Sequence, residues 1–157
     1  MLTDEEFYAL LRDFKRTAFH LEMRDSYGLD SEEGPFQRFL RGEPDDYAWH
    51  APWLEIVRAA TAAGKEVTRA RIVTVPHSAY TRWSLANAPL NIEAGEDIRW
   101  LPRQDAGNVD LPAQDFWLLD DERVIWTPFD AEGRYLGSYE EHNPQRIAQC
   151  RTAHEGV

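Results

Sequence analysis

The chain's apolar spacing predicts an α/β protein: one domain over residues 1–157, with a mixed central sheet of about six strands flanked by helices. Three observations lead there. Segments of helical period alternate with segments of strand period as far as Leu101, the pattern of right-handed βαβ units in a partly parallel sheet. Beyond residue 114 the apolar runs shorten and are joined by acidic and Gly-containing links of hairpin length, which predicts a C-terminal antiparallel meander. The composition supplies a core, at 43% hydrophobic with six Trp, seven Phe and six Tyr. A chain of this size should bury roughly two-thirds of its unfolded surface.

Each element has its own signal. Thr3 and Glu6 form a capping box, followed by Phe7, Leu10, Leu11 and Phe14 at helical spacing, so the first helix is expected over about 4–15. Thr17 to Asp25 alternates, with Phe19, Leu21 and Met23 on one face and His20, Glu22 and Arg24 on the other. This strand should end near Ser26-Tyr27-Gly28. A short helix over 31–41 carries Phe36, Phe39 and Leu40, and Gly42 to Asp46 is a loop. Pro52 suits the first turn of a helix running to Ala63, with Trp53, Ile56, Val57 and Ala60 as its stripe and Gly64 beyond its end.

Val67–Val75 is then a strand stopped by Pro76, and Ser78 caps a helix to about Ala88 that Pro89 limits. Gly95 precedes a strand Asp97–Leu101 that Pro102 ends. The longest polar connection, 103–114, is a candidate mobile lid. Asp115–Leu119, Arg123–Phe129 and Arg134–Tyr139 are the meander strands, with Pro128 marking an edge or bulge. Asn143-Pro144 opens the last helix, with Ile147 and Cys150 turned inward.

Charge narrows the function. The net charge of −11 and pI near 4.8 disfavour direct nucleic-acid binding or an anionic membrane, because neutralising phosphates needs a basic face. A local Arg patch can still hold a single phosphate or carboxylate. Cys150 is the one cysteine, so an internal disulfide and a cysteine metal cage are excluded, and it reads as a half-buried residue. His20, His50, His77, His142 and His154 lack ligand spacing, so neither metal nor cofactor is expected. The acidic N-terminus lacks a signal-peptide core and no apolar run reaches membrane-spanning length, so a cytoplasmic protein is expected.

Three strands carry a charged pair at i, i+2: Glu22/Arg24, Arg69/Arg71 and Asp97/Arg99. Residues two apart share a strand face, so neighbouring strands would join all six into one ionic strip. Such a strip is a structural salt-bridge network or an anion-coordinating site. Four Arg against two carboxylates leave a positive excess, and paired Arg can fork around an oxyanion. Tyr80 and Trp83 share a face of the helix after Ser78. They either pack on the sheet or wall a ligand pocket at the end of the preceding strand, where open α/β sheets bind ligands. Trp49 and Trp53 read as anchors around His50. Asp115 and Asp120 fall on opposite strand faces, which disfavours a carboxylate dyad and suits turn and strand-end roles. A hydrolase elbow, a Walker loop and a dinucleotide fingerprint are all missing.

Phe19-His20-Leu21-Glu22-Met23-Arg24-Asp25, Arg69-Ala70-Arg71-Ile72-Val73, Ala94-Gly95-Glu96-Asp97-Ile98-Arg99 and Asp115-Phe116-Trp117-Leu118-Leu119-Asp120 resemble a family of uncharacterised actinobacterial proteins over nearly the whole chain. The resemblance implies a companion of helix-turn-helix regulators, some related to toxin–antitoxin pairs, in developmental or stress loci. The chain is more distantly similar to the phospholipase-D-like fold. In that family a strand bearing His-x-Lys and a following Asp carries phosphodiesterase chemistry. Here the string would be Ala113-Gln114-Asp115 followed by Asp120, with Gly137-Ser138 similar to a later part of the motif. Ala113 stands for the His and Asp115 for the Lys, so the resemblance implies a relative without that catalysis.

The expectation is a non-catalytic, cytoplasmic regulatory or protein-interaction module. Its acidic surface would engage a protein partner, such as a DNA-binding regulator with a basic face. The alternative is a sensor or enzyme for a small phosphate or carboxylate metabolite, using Glu22, Arg24, Arg69, Arg71, Tyr80, Trp83, Asp97 and Arg99.

Overall fold

The computed structural model describes residues 1–157 and consists of five α-helices around one six-stranded mixed sheet. In chain order they are α1 (Asp4–Asp13), β1 (Thr17–Glu22), α2 (Asp30–Leu40), α3 (Ala51–Ala62), β2 (Glu66–Val73), α4 (Ala79–Ala94), β3 (Asp97–Pro102), β4 (Phe116–Leu119), β5 (Arg123–Trp126), β6 (Tyr139–Glu141) and α5 (Pro144–Gly156). The strand order is β3-β2-β1-β4-β5-β6. β1, β2 and β3 run parallel through helical crossovers. β4, β5 and β6 add the antiparallel meander. The α/β architecture read from apolar periodicity is therefore the observed one.

Period-2 alternation gives the sheet two cores. Ala18, Val67, Trp117, Leu119 and Ile125 face one side, where α1 and α3 cover them with Leu11, Phe14, Leu54, Val57 and Ala60. Phe19, Leu21, Ile72, Phe116, Leu118, Val124 and Trp126 face the other, covered by Cys150 and Ala153 of α5 and by Ala106. Burying Leu21 and Phe116, both fully enclosed, contributes about 2–3 kcal/mol each.

Four local expectations change. Helix α4 continues through Pro89 to Ala94, because Ala88, Asn91 and Ala94 are buried on its inner face and tertiary packing outweighs the lost hydrogen bond. It stops at Gly95, whose φ of 116° and close approach to Thr61 suit only glycine. The strands expected to reach Asp25, Val75 and Phe129 end earlier, at Glu22, Val73 and Trp126. The strand expected at Arg134–Tyr139 is displaced to Tyr139–Glu141. Gly133 and Gly137 both take positive φ, and Leu136 donates to the Pro128 carbonyl at 2.9 Å, so this stretch folds back as a turn. Finally, connection 103–114 is pinned at its start. Ala106 is buried, and Arg103 Nη2 donates to the Met23 carbonyl at 2.6 Å. No helix is long and apolar enough to cross a membrane.

Candidate functional site

The β1–β2 register sets His20 beside Arg69 and Glu22 beside Arg71, all on the face turned toward α3 and α4. Four polar side chains thus enter an otherwise apolar layer, where each must find a partner. Arg69 finds several. Its Nη1 lies 2.5 Å from Glu22 Oε1 and its Nε 2.8 Å from Glu96 Oε2. Its guanidinium also lies over the Trp53 and Trp117 rings, at 5.6 and 5.9 Å. Trp53 Nε1 donates to Glu96 at 2.9 Å, and Asn91 donates to the same oxygen at 3.3 Å. Asn91 in turn meets His50 Nε2 at 2.6 Å.

This closed set fixes protonation. Burial alone would raise the Glu22 carboxyl, but the Arg71 and Arg69 guanidiniums outweigh it and hold the group at about 2. Burial disfavours the Arg69 cation, yet Glu96 and Glu22 push its pKa up. Burial pulls His20 down to about 3 against the pull of Glu22, so the ring that stacks on Trp117 at 4.2 Å is neutral.

Arg71, two residues on, is different. Its Nε is 3.8 Å from Glu22 Oε1, too long for a hydrogen bond, and its Nε and Nη1 are buried without an acceptor. Unmet buried donors of this kind call for an explanation. The guanidinium borders a crevice at the C-terminal ends of β1 and β2, bounded also by Glu22, Arg24, Val73, Thr81 and Ser84. Tyr27 and Tyr80 form its walls. Its volume is about 10 Å³, on the order of one water molecule.

Each wall tyrosine holds a carboxyl. The Tyr27 hydroxyl donates to Asp115 Oδ2 at 2.5 Å and accepts from the Arg24 N–H, while Asp115 Oδ1 takes the Met23 N–H at 2.9 Å. The Tyr80 hydroxyl donates to Glu32 Oε1 at 2.8 Å. Burial, reinforced by the charge on Glu22, raises both carboxyls to about 7 despite those hydrogen bonds. Burial also holds both phenols well above their usual range, so they act as donors. Together these groups can orient an oxyanion against Arg71.

Of the residues singled out from sequence, Glu22, Arg24, Arg71 and Tyr80 meet around the crevice. Arg69 lies behind it in the closed ion-pair set. Arg24 lies past the end of β1, with its guanidinium 5.7 Å from the Phe129 ring centroid. Trp83 is buried in an aromatic stack with Trp49, Phe36 and Tyr80 and does not reach the crevice. Asp97 and Arg99 do not join the strip. The β2–β3 register pairs them with Thr68 and Ala70, on the opposite face from Arg69 and Arg71, where they form an exposed pair at 3.2 Å.

Glu96 takes the place expected of Asp97. Its signal lay in parity, since Glu96 shares a strand face with apolar Ile98 and Trp100 while Asp97 does not. Tyr27, Glu32 and Asp115 come from distant segments and leave no comparable local mark. A family model described as a domain of unknown function, DUF6879, matches residues 5–157. No curated protein matches the chain.

Proposed function

We propose the following function for this chain, which belongs to the DUF6879 family of domains of unknown function: a non-catalytic regulatory module that binds a small anion over Arg71. The carrying observation is the buried Arg71 guanidinium, whose Nε and Nη1 have no acceptor and whose nearest carboxylate is 3.8 Å away, whereas Arg69 on the same face is ion-paired with Glu22 and Glu96 within 2.8 Å. The location supports the reading, because open α/β sheets take ligands outside the C-terminal ends of their parallel strands. Non-catalytic binding is favoured because both nearby carboxyls are occupied by tyrosine donors rather than poised toward the crevice.

The net charge of −11 supports a second, compatible property. A cytoplasmic protein partner with a basic face, such as a helix-turn-helix regulator, would be steered to this surface by charge. A tagged pull-down from the native cytoplasm at low and moderate salt tests that part. A stoichiometric partner lost at moderate salt is expected, and its absence at both salts removes the partner.

The anion site is tested by thermal denaturation with small carboxylates and phosphorylated metabolites. A ligand at one hundred times its Kd should stabilise the wild type by about 2.7 kcal/mol. Arg71→Ala should stay folded and lose that response. Arg69→Ala should cost about 3–5 kcal/mol without any ligand, because it strands Glu22 and Glu96. If Arg71→Ala destabilises as much as Arg69→Ala and no anion shifts the wild-type transition, the crevice is structural and the reading fails.

A further inference from the structure

Helix α2 lies against the α4 wall of the crevice, yet little holds it there. Pro35 is its one buried residue, and Leu29 at its N-cap offers no side-chain hydrogen bond. Phe36 meets Tyr80 edge-on and Trp83 at a tilt. The polar tie from α2 to that wall is Glu32, whose carboxyl takes the Tyr80 hydroxyl proton at 2.8 Å. The crevice, at about 10 Å³, admits no organic anion until a wall moves.

Charge narrows what can enter. Arg69 and Arg71 are balanced by Glu22 and Glu96, which leaves Arg24 as the further cation at the crevice. Below about pH 7, where Glu32 and Asp115 are protonated, the site therefore has a positive excess of about one charge, which suits a monoanion and falls short of a dianionic phosphate.

We infer that Glu32 is the chain's own stand-in for the ligand, and that the crevice takes a small monocarboxylate which replaces the Glu32 carboxyl beside Tyr80 and Arg71 and frees α2 from α4. This inference rests on the anion-binding reading above. It specifies the ligand class and the coupling of binding to one helix. Burial raises the Glu32 carboxyl to about 7 against its 2.8 Å hydrogen bond from Tyr80; the Glu22 charge raises it further and the Arg71 and Arg69 charges lower it, so Glu32 lies in the field of the same charges that line the crevice. A freed α2 would expose Phe36 and uncover Trp83, changing the surface offered to a partner.

The test titrates wild type, Glu32→Ala and Arg71→Ala with sodium acetate and, separately, with inorganic phosphate at constant ionic strength. Binding is followed calorimetrically, and amide hydrogen exchange of residues 30–40 is followed by mass spectrometry. Glu32→Gln covers the case in which the alanine variant fails to fold, because its neutral amide no longer competes for the Arg71 charge. Acetate should bind the wild type, bind both Glu32 variants about tenfold more tightly, and bind Arg71→Ala undetectably. Exchange over 30–40 should quicken when acetate saturates the wild type. Phosphate binding without acetate binding would overturn the carboxylate assignment and leave the anion site standing. Equal acetate affinity in wild type and the Glu32 variants, with unchanged exchange, would overturn the displacement alone. Binding of neither anion by any of these proteins would overturn the anion site and this inference together.

Discussion

Arg69 and Arg71 differ by one turn of the strand pleat, yet one is enclosed by acceptors and the other lacks them. The sequence presents them as equals, since both lie on one face of a strand with charged neighbours. What separates them is Glu96, which reaches Arg69 from the residue before β3 at 2.8 Å. The tyrosine-held carboxyls give a second contrast, and it is testable by pH. Asp115 faces Tyr27, Glu22, Arg24 and the Met23 N–H, and burial raises it to about 7 from an unfolded value near 3.8. The folded state then binds the extra proton, so its contribution to stability is full below about pH 4 and is lost as pH rises to about 7. His20 works oppositely, at about 3 when folded, so its contribution is lost as pH falls below about 6.5. A difference measurement isolates Asp115. The stability of wild type minus that of Asp115→Asn, from urea titrations, should fall by about 3 kcal/mol between pH 4 and 7 and level off above about pH 8. A flat difference throughout would mean that Asp115 is ionised in the fold.

Helices and strands were legible where their signals were local. The Thr3–Glu6 box, the Ser78 cap and the Asn143-Pro144 start each sit where the sequence implied. Proline was the less dependable sign. It did not end α4, because the buried face beyond it supplies packing that a local rule cannot see. The β4–β5 turn hides a further joint. Asp120 and Asp121 both have positive φ, and the Asp120 carboxylate accepts the N–H groups of Lys15, Arg16 and Thr17 at 2.6 to 3.1 Å. Burial would raise that carboxyl, but the three backbone donors hold it below its usual value. This side chain ties the start of β1 to the hairpin. Asp120→Ala should therefore cost about 2–4 kcal/mol, combining three unmet donors with a strained left-handed alanine. Asp120→Asn keeps an acceptor and tolerates that backbone, so a loss of about 1 kcal/mol is expected in the same urea titration. Equal losses in the two variants would refute the joint.

Across the sheet, the two cores are separate layers, and a single thiol reports on one of them. Cys150 is the chain's one cysteine, fully buried between α5 and the sheet, and burial pushes its thiol up to about 12. It should not react with an aromatic disulfide reagent in the native protein. Its labelling rate in rising urea should follow the unfolding transition seen by Trp fluorescence. Labelling well before that transition would mean that α5 opens alone.

Amino-acid order was enough to establish that this is an α/β chain with parallel units first and a meander last, since periods of 2 and 3.6 residues are local properties. It also established that Arg69 shares a face with Arg71, and Asp97 with Arg99. Which of those faces turns toward the helices, and which residue stands opposite, depends on pairing between strands far apart in sequence. A shift of one residue exchanges every side chain between the two faces. The β2–β3 register therefore put Glu96 rather than Asp97 beside Arg69, while the packing of α4 and of the segment after β1 brought Tyr80 and Tyr27, with the carboxyls of Glu32 and Asp115 behind them, to the crevice at Arg71.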